Sequence, residues 1–304
     1  MREYAKITGK QWTKGREKMT AKILDGRQVA RKIRVDLKEK VLRLQQRGVV
    51  PKLVVILVGN DTGSEVYIRN KKRAAEAIGI ETLDVRLPAE TSEYDLLKLI
   101  AKYNADESID GILVQLPLPP HINEDTVERE IDPRKDVDGF HPINMGHLFM
   151  NEPNSLPCTP RGIMALLAAE KIEVAGKHVV IVGRSNIVGR PMAALMLNHD
   201  ATVTVAHSHT KDLAAITRQA DILIVAVGKP EMITADYVRD GAVVIDVGMN
   251  RNAAGKLVGD VAQEEVAQKA GYITPVPGGV GPMTIAMLMQ QVVEFAERNT
   301  HNDK

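Results

Sequence analysis

The chain is predicted to be an α/β protein whose second half is a Rossmann-like parallel sheet, and three observations carry that prediction. The stretch Gly176 to Pro191 reads GKHVVIVGRSNIVGRP, in which His178 to Val182 is a short Val/Ile run, Gly183 breaks it, and Pro191, Met192, Leu195 and Met196 resume at helical spacing. Strand, glycine turn and helix in that order aim backbone N–H groups at a phosphate. Thr202 to Ala206, Asp221 to Val227 and Ala242 to Val247 are further apolar, β-branched runs, each set apart by a helix-length segment. Parallel strands with crossover helices are the economical way to join them. The first half alternates the same two patterns and makes a second α/β unit.

Taken in order, Met1 to Lys18 is basic, holds the sole tryptophan, Trp12, and reads as an N-terminal extension with no assigned function. Glu3 and Glu17 and the lack of serine argue against a targeting peptide there. A run that looks like a fresh start, MTAKILDGRQVA, begins at Met19. From Asp25 to Gln46, Val29, Ile33, Leu37, Val41 and Leu44 recur at helical spacing, and Gly48 ends the helix. Lys52 to Val58 is a strand. A helix capped by Ser64, with Glu65 in its first turn, runs to Ile78 and stops at Gly79. A strand over Thr82 to Leu87, a helix over Glu93 to Tyr103 and a strand over Gly111 to Leu116 follow. Pro117 to Pro160 carries most of the loop signals, which places a domain boundary near its end. A final helix over Thr284 to Asn299 is free to pack back on the first domain.

At 304 residues the chain has room for two domains or one large α/β domain. A net charge of +1 argues for neither nucleic acid nor an anionic membrane surface. No apolar run is long enough to span a bilayer. The single cysteine, Cys158, excludes an intramolecular disulfide and fits a reducing, cytoplasmic setting. As a residue it reads better as a small buried side chain than as a nucleophile.

Against the general G-x-G-x-x-G fingerprint the glycine turn is imperfect, because Ser185 stands at the second glycine and Gly189 comes one place late. Taken alone, an ordinary strand-to-helix turn explains it equally well. The second strand of this unit ends in His207-Ser208-His209-Thr210-Lys211, without the acid that commonly holds a ribose 2′-hydroxyl. That favours a 2′-phosphate, hence NADP, although a solvated loop could have the same composition.

Chemistry in the first half is less explicit. Tyr67 and Lys71 stand four residues apart and share a helix face. On spacing alone Lys71-Lys72-Arg73 reads as a charged surface, and only burial would make Lys71 a useful base. Gln115 interrupts an apolar strand at its carboxyl end, where a buried amide needs a partner such as Lys71 or a ligand. In Lys135-Asp136-Val137-Asp138-Gly139, one acid is expected to form the turn and leave the other for a polar ligand. Metal binding is disfavoured because nothing supplies further oxygen ligands. Thr274 to Thr284, TPVPGGVGPMT, is a stiff loop that lets backbone approach a ligand.

Together the motifs SEVYIRNKKRAAEAIGI, DGILVQLPLP, KDVDGFHPINMG, PCTPRGI, GRSNIVGRP, AVVIDVGMNR and ITPVPGGVGPMT closely resemble the bifunctional methylenetetrahydrofolate dehydrogenase/cyclohydrolases, from Met19 to the final helix. The resemblance implies two α/β domains with the active-site cleft between them: a folate-binding domain over 19–160, an NADP-binding domain over 161–283, and the helix of 284–304 packing back on the first. It implies oxidation of 5,10-methylenetetrahydrofolate with NADP, then hydrolysis to 10-formyltetrahydrofolate, and a homodimer formed through the cofactor domain. It assigns Lys71 as catalytic lysine, Tyr67 as its aromatic partner, Gln115 as the residue tuning it, and Asp138 as the acid holding the pterin. Val114, Gln115 and Leu116 would flank the substrate, and Pro277, Gly278, Gly279, Gly281 and Pro282 would line its site. Gly183, Arg184, Ser185, Ile187, Val188, Ser208 and Met249 match cofactor positions, and within this family the Gly183–Gly189 spacing is normal. A dehydrogenase without the hydrolytic step and a non-catalytic dinucleotide-binding regulator are the competing readings. Neither accounts for Tyr67, Lys71 and Gln115 together.

Overall fold

The computed structural model describes residues 21–60 and 62–302. The expectations for Met1 to Lys18 lie outside them. In chain order the elements are β1 (Lys22–Ile23), α1 (Gly26–Gln46), β2 (Lys52–Val58), α2 (Thr62–Ile78), β3 (Glu81–Leu87), α3 (Glu93–Ala105) and β4 (Gly111–Val114). Then come α4 (Glu124–Glu130), α5 (Pro142–Phe149), α6 (Cys158–Ala169), β5 (His178–Val182), α7 (Gly189–Leu197), β6 (Thr202–Ala206), α8 (Leu213–Thr217), β7 (Ile222–Val225) and β8 (Val243–Asp246). The chain finishes with β9 (Asn250–Arg251), β10 (Leu257–Val258), α9 (Gln263–Val266), β11 (Tyr272–Ile273) and α10 (Val280–Asn302).

Two parallel sheets organise these elements. The smaller has the order β3-β2-β4 and the larger β1-β11-β8-β7-β5-β6. Strands β2, β4, β5, β7 and β8 are buried on both faces, which is why they read as mainly apolar runs. In β2, Leu53, Val55 and Leu57 join α1, α6 and α10 in one core. Val54, Ile56 and Val58 point the other way, onto Leu96 and Ile100 of α3. In β5, Val179 and Ile181 face that first core, whereas Val180 and Val182 face a separate cluster with Leu223, Val225 and Val244.

The larger sheet has six strands among the described residues, two more than the pattern predicts. The additional strands, β1 and β11, are two residues long and too short to show a period. Through β1, Lys22 and Ile23 pair with Tyr272 and Ile273, so the start of the described chain belongs to the larger sheet although α1 packs with the smaller one.

Other boundaries differ too. Helix α2 begins at Thr62, so Ser64 is inside its first turn and does not cap it, while Glu65 keeps its predicted place. Asp25 caps α1, its Oδ1 accepting from the N–H groups of Arg27 at 2.9 Å and Gln28 at 3.1 Å. Strand β4 stops at Val114, before Gln115. The Pro117 to Pro160 stretch folds α4, α5 and the start of α6 between its turns. Helix α10 begins at Val280, four residues before the predicted Thr284, which puts Gly281 and Pro282 in its first turn. There a proline lacks only a donor that has no partner in any case.

Helix α10 is clamped against the first half of the chain. Phe295 is almost fully buried, an arrangement worth about 1.5–3 kcal/mol for such a side chain. Gln291 Nε2 reaches Val137 O at 2.8 Å and Ser155 Oγ at 2.7 Å, and Glu294 pairs with Arg161 at 2.6 Å. The helix thereby anchors the Pro275–Gly279 loop that precedes it.

Candidate active site

Lys71 is the centre of the first-half chemistry. Its neighbours on α2, Lys72 and Arg73, are exposed, but Lys71 itself is only 7% exposed. The charged-surface reading therefore holds for Lys72, which pairs with Asp84 at 2.8 Å, and not for Lys71, which the helix turns inward. Its Nζ donates to Gln115 Oε1 at 3.1 Å and sits 5.8 Å from the Tyr67 ring centroid. Gln115 stands one residue past the end of β4; its N–H still bonds Ile56 O at 2.8 Å, and its Nε2 donates to Leu116 O at 2.7 Å. With both ends of the amide engaged, Oε1 is aimed at the lysine. Burial raises the Tyr67 hydroxyl above its ordinary pKa, so it stays neutral.

The two acids of the 135–139 turn divide as expected. Asp136 is the structural one, accepting from Gly139 N, His141 N and Asn144 Nδ2, each at 2.9 Å. Asp138 accepts no hydrogen bond from any described residue. Its carboxyl is pushed up to about 6, chiefly by burial, with the Lys71 charge opposing and Asp136 adding to the shift. Val114 and Leu116 line a small pocket of about 20 Å³ together with Asp138 and Glu128. Cys158, in contrast, is buried against Val137 O at 3.2 Å, and burial pushes its thiol up, which makes it inert.

A larger cavity, about 620 Å³, opens between the two halves of the chain. Tyr67 forms one wall, the Pro275–Pro282 loop and helix start form another, and Asp246 to Met249, from the last residue of β8 onward, form a third. Pro277, Gly278, Gly279, Gly281, Pro282, Tyr67 and Met249 thus meet in one space. Lys71, Gln115 and Asp138 are not on its walls; Tyr67 connects them to it. The loop is folded tightly, since a Cβ on Gly279 would lie 2.7 Å from the Thr274 Cβ. Sequence reasoning missed three arginines here. Arg27 and Arg34 on α1 and Arg73 on α2 line the same cavity, and among the described residues none has a carboxylate partner. The seven-residue spacing of Arg27 and Arg34 places them on one helix face, but nothing in a single sequence says that this face meets α2 across a cavity.

Of the residues expected to hold the cofactor, Gly183 to Val188 and Ser208 follow the carboxyl ends of β5 and β6, and Met249 follows that of β8. Gly183 has φ +127°, and a Cβ there would meet Ala226 O at 2.2 Å. A Cβ on Gly189 would meet Gly183 O at 2.2 Å, so the turn is closed by backbone packed on backbone. Ser185 Oγ, where the general fingerprint has glycine, accepts from Val188 N at 3.2 Å. Arg184, Ser185 and Ile187 are exposed, as are Ser208 and His209 at the end of β6, while Val188 is buried. Hydrogen bonds from His207 N to Thr210 Oγ1 at 2.8 Å and from His209 N to His207 Nδ1 at 3.2 Å order the His207–Thr210 segment. Exposed hydroxyls and a guanidinium, with no acid in His207–Lys211, suit a 2′-phosphorylated dinucleotide. Among the described residues no group of three or more His, Cys, Asp or Glu side chains gathers as a metal site, and no helix is long and apolar enough to cross a membrane.

Comparison with known proteins gives this geometry a family. Residues 24–138 match the catalytic domain of tetrahydrofolate dehydrogenase/cyclohydrolase, and residues 157–300 match its NAD(P)-binding domain. The bifunctional protein FolD of Ligilactobacillus salivarius is 65% identical over 281 residues, covering 92% of this chain and 99% of that protein. The crystal structure of the bifunctional FolD methylenetetrahydrofolate dehydrogenase/cyclohydrolase from Campylobacter jejuni superposes with a TM-score of 0.90 at 51% identity, covering 91% of this chain and 99% of that one. The Trypanosoma brucei enzyme, complexed with NADP cofactor and inhibitor, gives 0.88 at 41% identity, covering 92% and 98%. The chain, with its lysine buried behind a cavity wall, belongs to the tetrahydrofolate dehydrogenase/cyclohydrolase family.

Proposed function

We propose that this protein oxidises 5,10-methylenetetrahydrofolate with NADP to the 5,10-methenyl cation and then hydrolyses that cation to 10-formyltetrahydrofolate. The observation that carries the reading is the single cavity shared by Tyr67, the Pro277–Gly279 loop and Met249, with Lys71 buried behind Tyr67 and held on Gln115. NADP, when bound, supplies the acceptor for a hydride leaving the methylene carbon with its electron pair. Gly183, Arg184, Ser185, Ile187, Val188, Ser208 and Met249 are the residues that would hold it. That step needs placement rather than an acid or base.

Hydrolysis needs proton management. Water bonds to the methenyl carbon and loses one proton; its second proton leaves the oxygen as the carbonyl forms, the bond from that carbon to N5 breaks with its electron pair going to nitrogen, and N5 takes up a proton. Among the described residues Lys71 is the one buried Lys or Arg, and its bond to Gln115 Oε1 fixes where its protons point. Asp138, left free by Asp136, is placed to hold polar pterin edges. Arg27, Arg34 and Arg73 suit the carboxylates at the glutamate end.

In this reading residues 19–160 with α10 bind folate and residues 161–283 bind NADP. The protein works in the cytoplasm as a homodimer through the cofactor half. The outer edge of β6, with Val205 38% exposed, supports that surface. Light scattering of purified protein tests the dimer. Absorbance with methylenetetrahydrofolate tests the activity, comparing NADP with NAD. NADP reduction, followed by methenyl decay faster than in buffer, is the expected result. No reduction with either cofactor overturns the reading.

A further inference from the structure

Two buried acids outside the reacting centre, Asp246 and Asp260, tie together loops that approach the cavity from different strands. Asp260 is 0% exposed. Its Oδ2 accepts from Val227 N at 2.7 Å and Gly228 N at 3.1 Å, and its Oδ1 accepts from Lys229 N at 2.8 Å and Asn250 Nδ2 at 2.8 Å. Val227 to Lys229 follow β7, and Asn250 lies beyond β8, the parallel neighbour of β7. One carboxylate therefore joins two adjacent strand ends, where ligands of open parallel sheets are bound.

Asp246, 3% exposed at the end of β8, extends the clasp. It accepts from Gly248 N at 2.9 Å, Asp260 N at 2.9 Å and Val261 N at 3.0 Å. Its own N–H donates to Thr274 Oγ1 at 2.7 Å, directly before the Pro275–Gly279 loop. The packing leaves no slack: a Cβ on Gly248 would lie 2.4 Å from the Asp260 carboxyl carbon, and one on Gly259 would lie 1.8 Å from Asp246 Oδ2. Gly248 and Met249, on the cavity wall, are thus held from one side by Asp246 and from the other through Asn250 by Asp260.

We propose that Asp260 is a positioning residue for hydride transfer: by fixing the loops after β7 and β8 to each other, it sets where the nicotinamide lies against the folate. The proposal rests on the NADP-dependent reading above. It assigns Asp260 to one of the two reactions only, because hydrolysis depends on Lys71 in the other half of the chain and needs no nicotinamide. Four donors converge on the two oxygens of Asp260, an arrangement that a carboxylate satisfies and a carboxamide does not, since its NH2 would face two further donors.

Asp260→Asn is the test. The expected result is a fall of about 10- to 100-fold in the dehydrogenase kcat/KM, the scale of a misplacement of about 1 Å. Methenyltetrahydrofolate hydrolysis, measured without NADP, stays at the wild-type rate. Equal loss of both activities would show a general structural role and overturn the proposal, as would an unchanged dehydrogenase. Wild-type turnover in the same assay separates the two readings. If the wild type itself fails to reduce NADP, both fall; if it turns over and Asp260→Asn matches it, only this proposal falls. Should Asp260→Asn not fold, Asn250→Ala removes one donor and leaves three. A smaller dehydrogenase-selective loss there supports the proposal, and none overturns it.

Discussion

The Nζ of Lys71 lies 3.1 Å from Oε1 of Gln115, although 44 residues separate them in the chain. One comes from a helix between β2 and β3, the other from the end of β4, and β2 is the strand that lies between β3 and β4. The pair is therefore a product of strand order, and the cyclohydrolase chemistry proposed for this protein depends on it. Lys71→Met is expected to lower methenyl hydrolysis by about 10²- to 10⁴-fold, the usual contribution of a positioned acid or base. Melting temperature and NADP binding should change little. Hydrolysis at the wild-type rate would remove Lys71 from the mechanism.

Asp138 should give the reaction an acid limb. Its carboxyl sits at about 6, so it is ionised above that pH and neutral below it. If the ionised form grips the pterin, kcat/KM falls as pH drops through about 6. In Asp138→Asn the overall rate is lower and that limb is absent. A pH profile of both proteins decides it, and the same limb persisting in the variant would assign it elsewhere.

Arg184 stands exposed in the turn after β5 and among the described residues has no acidic partner. Arg184→Ala is expected to raise the KM for NADP by about tenfold, in keeping with a hydrogen bond to a charged group at roughly 1.5–3 kcal/mol. The KM for NAD should hardly move. Equal losses for both cofactors would show that Arg184 does not read the 2′-phosphate.

Glu128 offers a test of stability rather than of rate. Burial raises its carboxyl to about 7, and the charges of Asp125, Asp136, Glu124 and Asp138 add to the shift. An acid with a raised folded pKa stabilises the fold fully below its unfolded pKa and loses that contribution as pH climbs through the folded one. Glu128→Gln should therefore gain stability over the wild type as pH rises from about 4.3 to about 7. Because the side chain is partly exposed, the gain stays within about 1 kcal/mol. Denaturant midpoints at pH 4.5 and pH 8 that shift equally would refute this assignment.

Much of the architecture was legible in the residues alone. Strands β2 and β5 fall where their apolar runs predict, because a strand covered on both faces has few polar positions to blur its ends, and the edge strand β6 falls where its β-branched run predicts. Two-residue strands such as β1 carry no such signal, so the pairing of Lys22 with Tyr272 came only from the folded chain. The glycine turn illustrates the middle ground. Its residues suggested a dinucleotide site, but the reason for glycine at 183 and 189 is the 2.2 Å approach of neighbouring carbonyl oxygens, a long-range fact at Gly183.

The sequence by itself determined the two α/β halves, the family to which the chain belongs and the candidate residues from Tyr67 to Met249, since composition, period and motif are local properties. Tertiary structure alone decided that Lys71 is buried while Lys72 and Arg73 are not, that Asp136 builds the turn and leaves Asp138 free, and that three arginines share a cavity with the Pro277 loop. Each of these depends on what another segment places opposite a side chain. Burial, and with it the tuning of a charge, is a property of the space between segments.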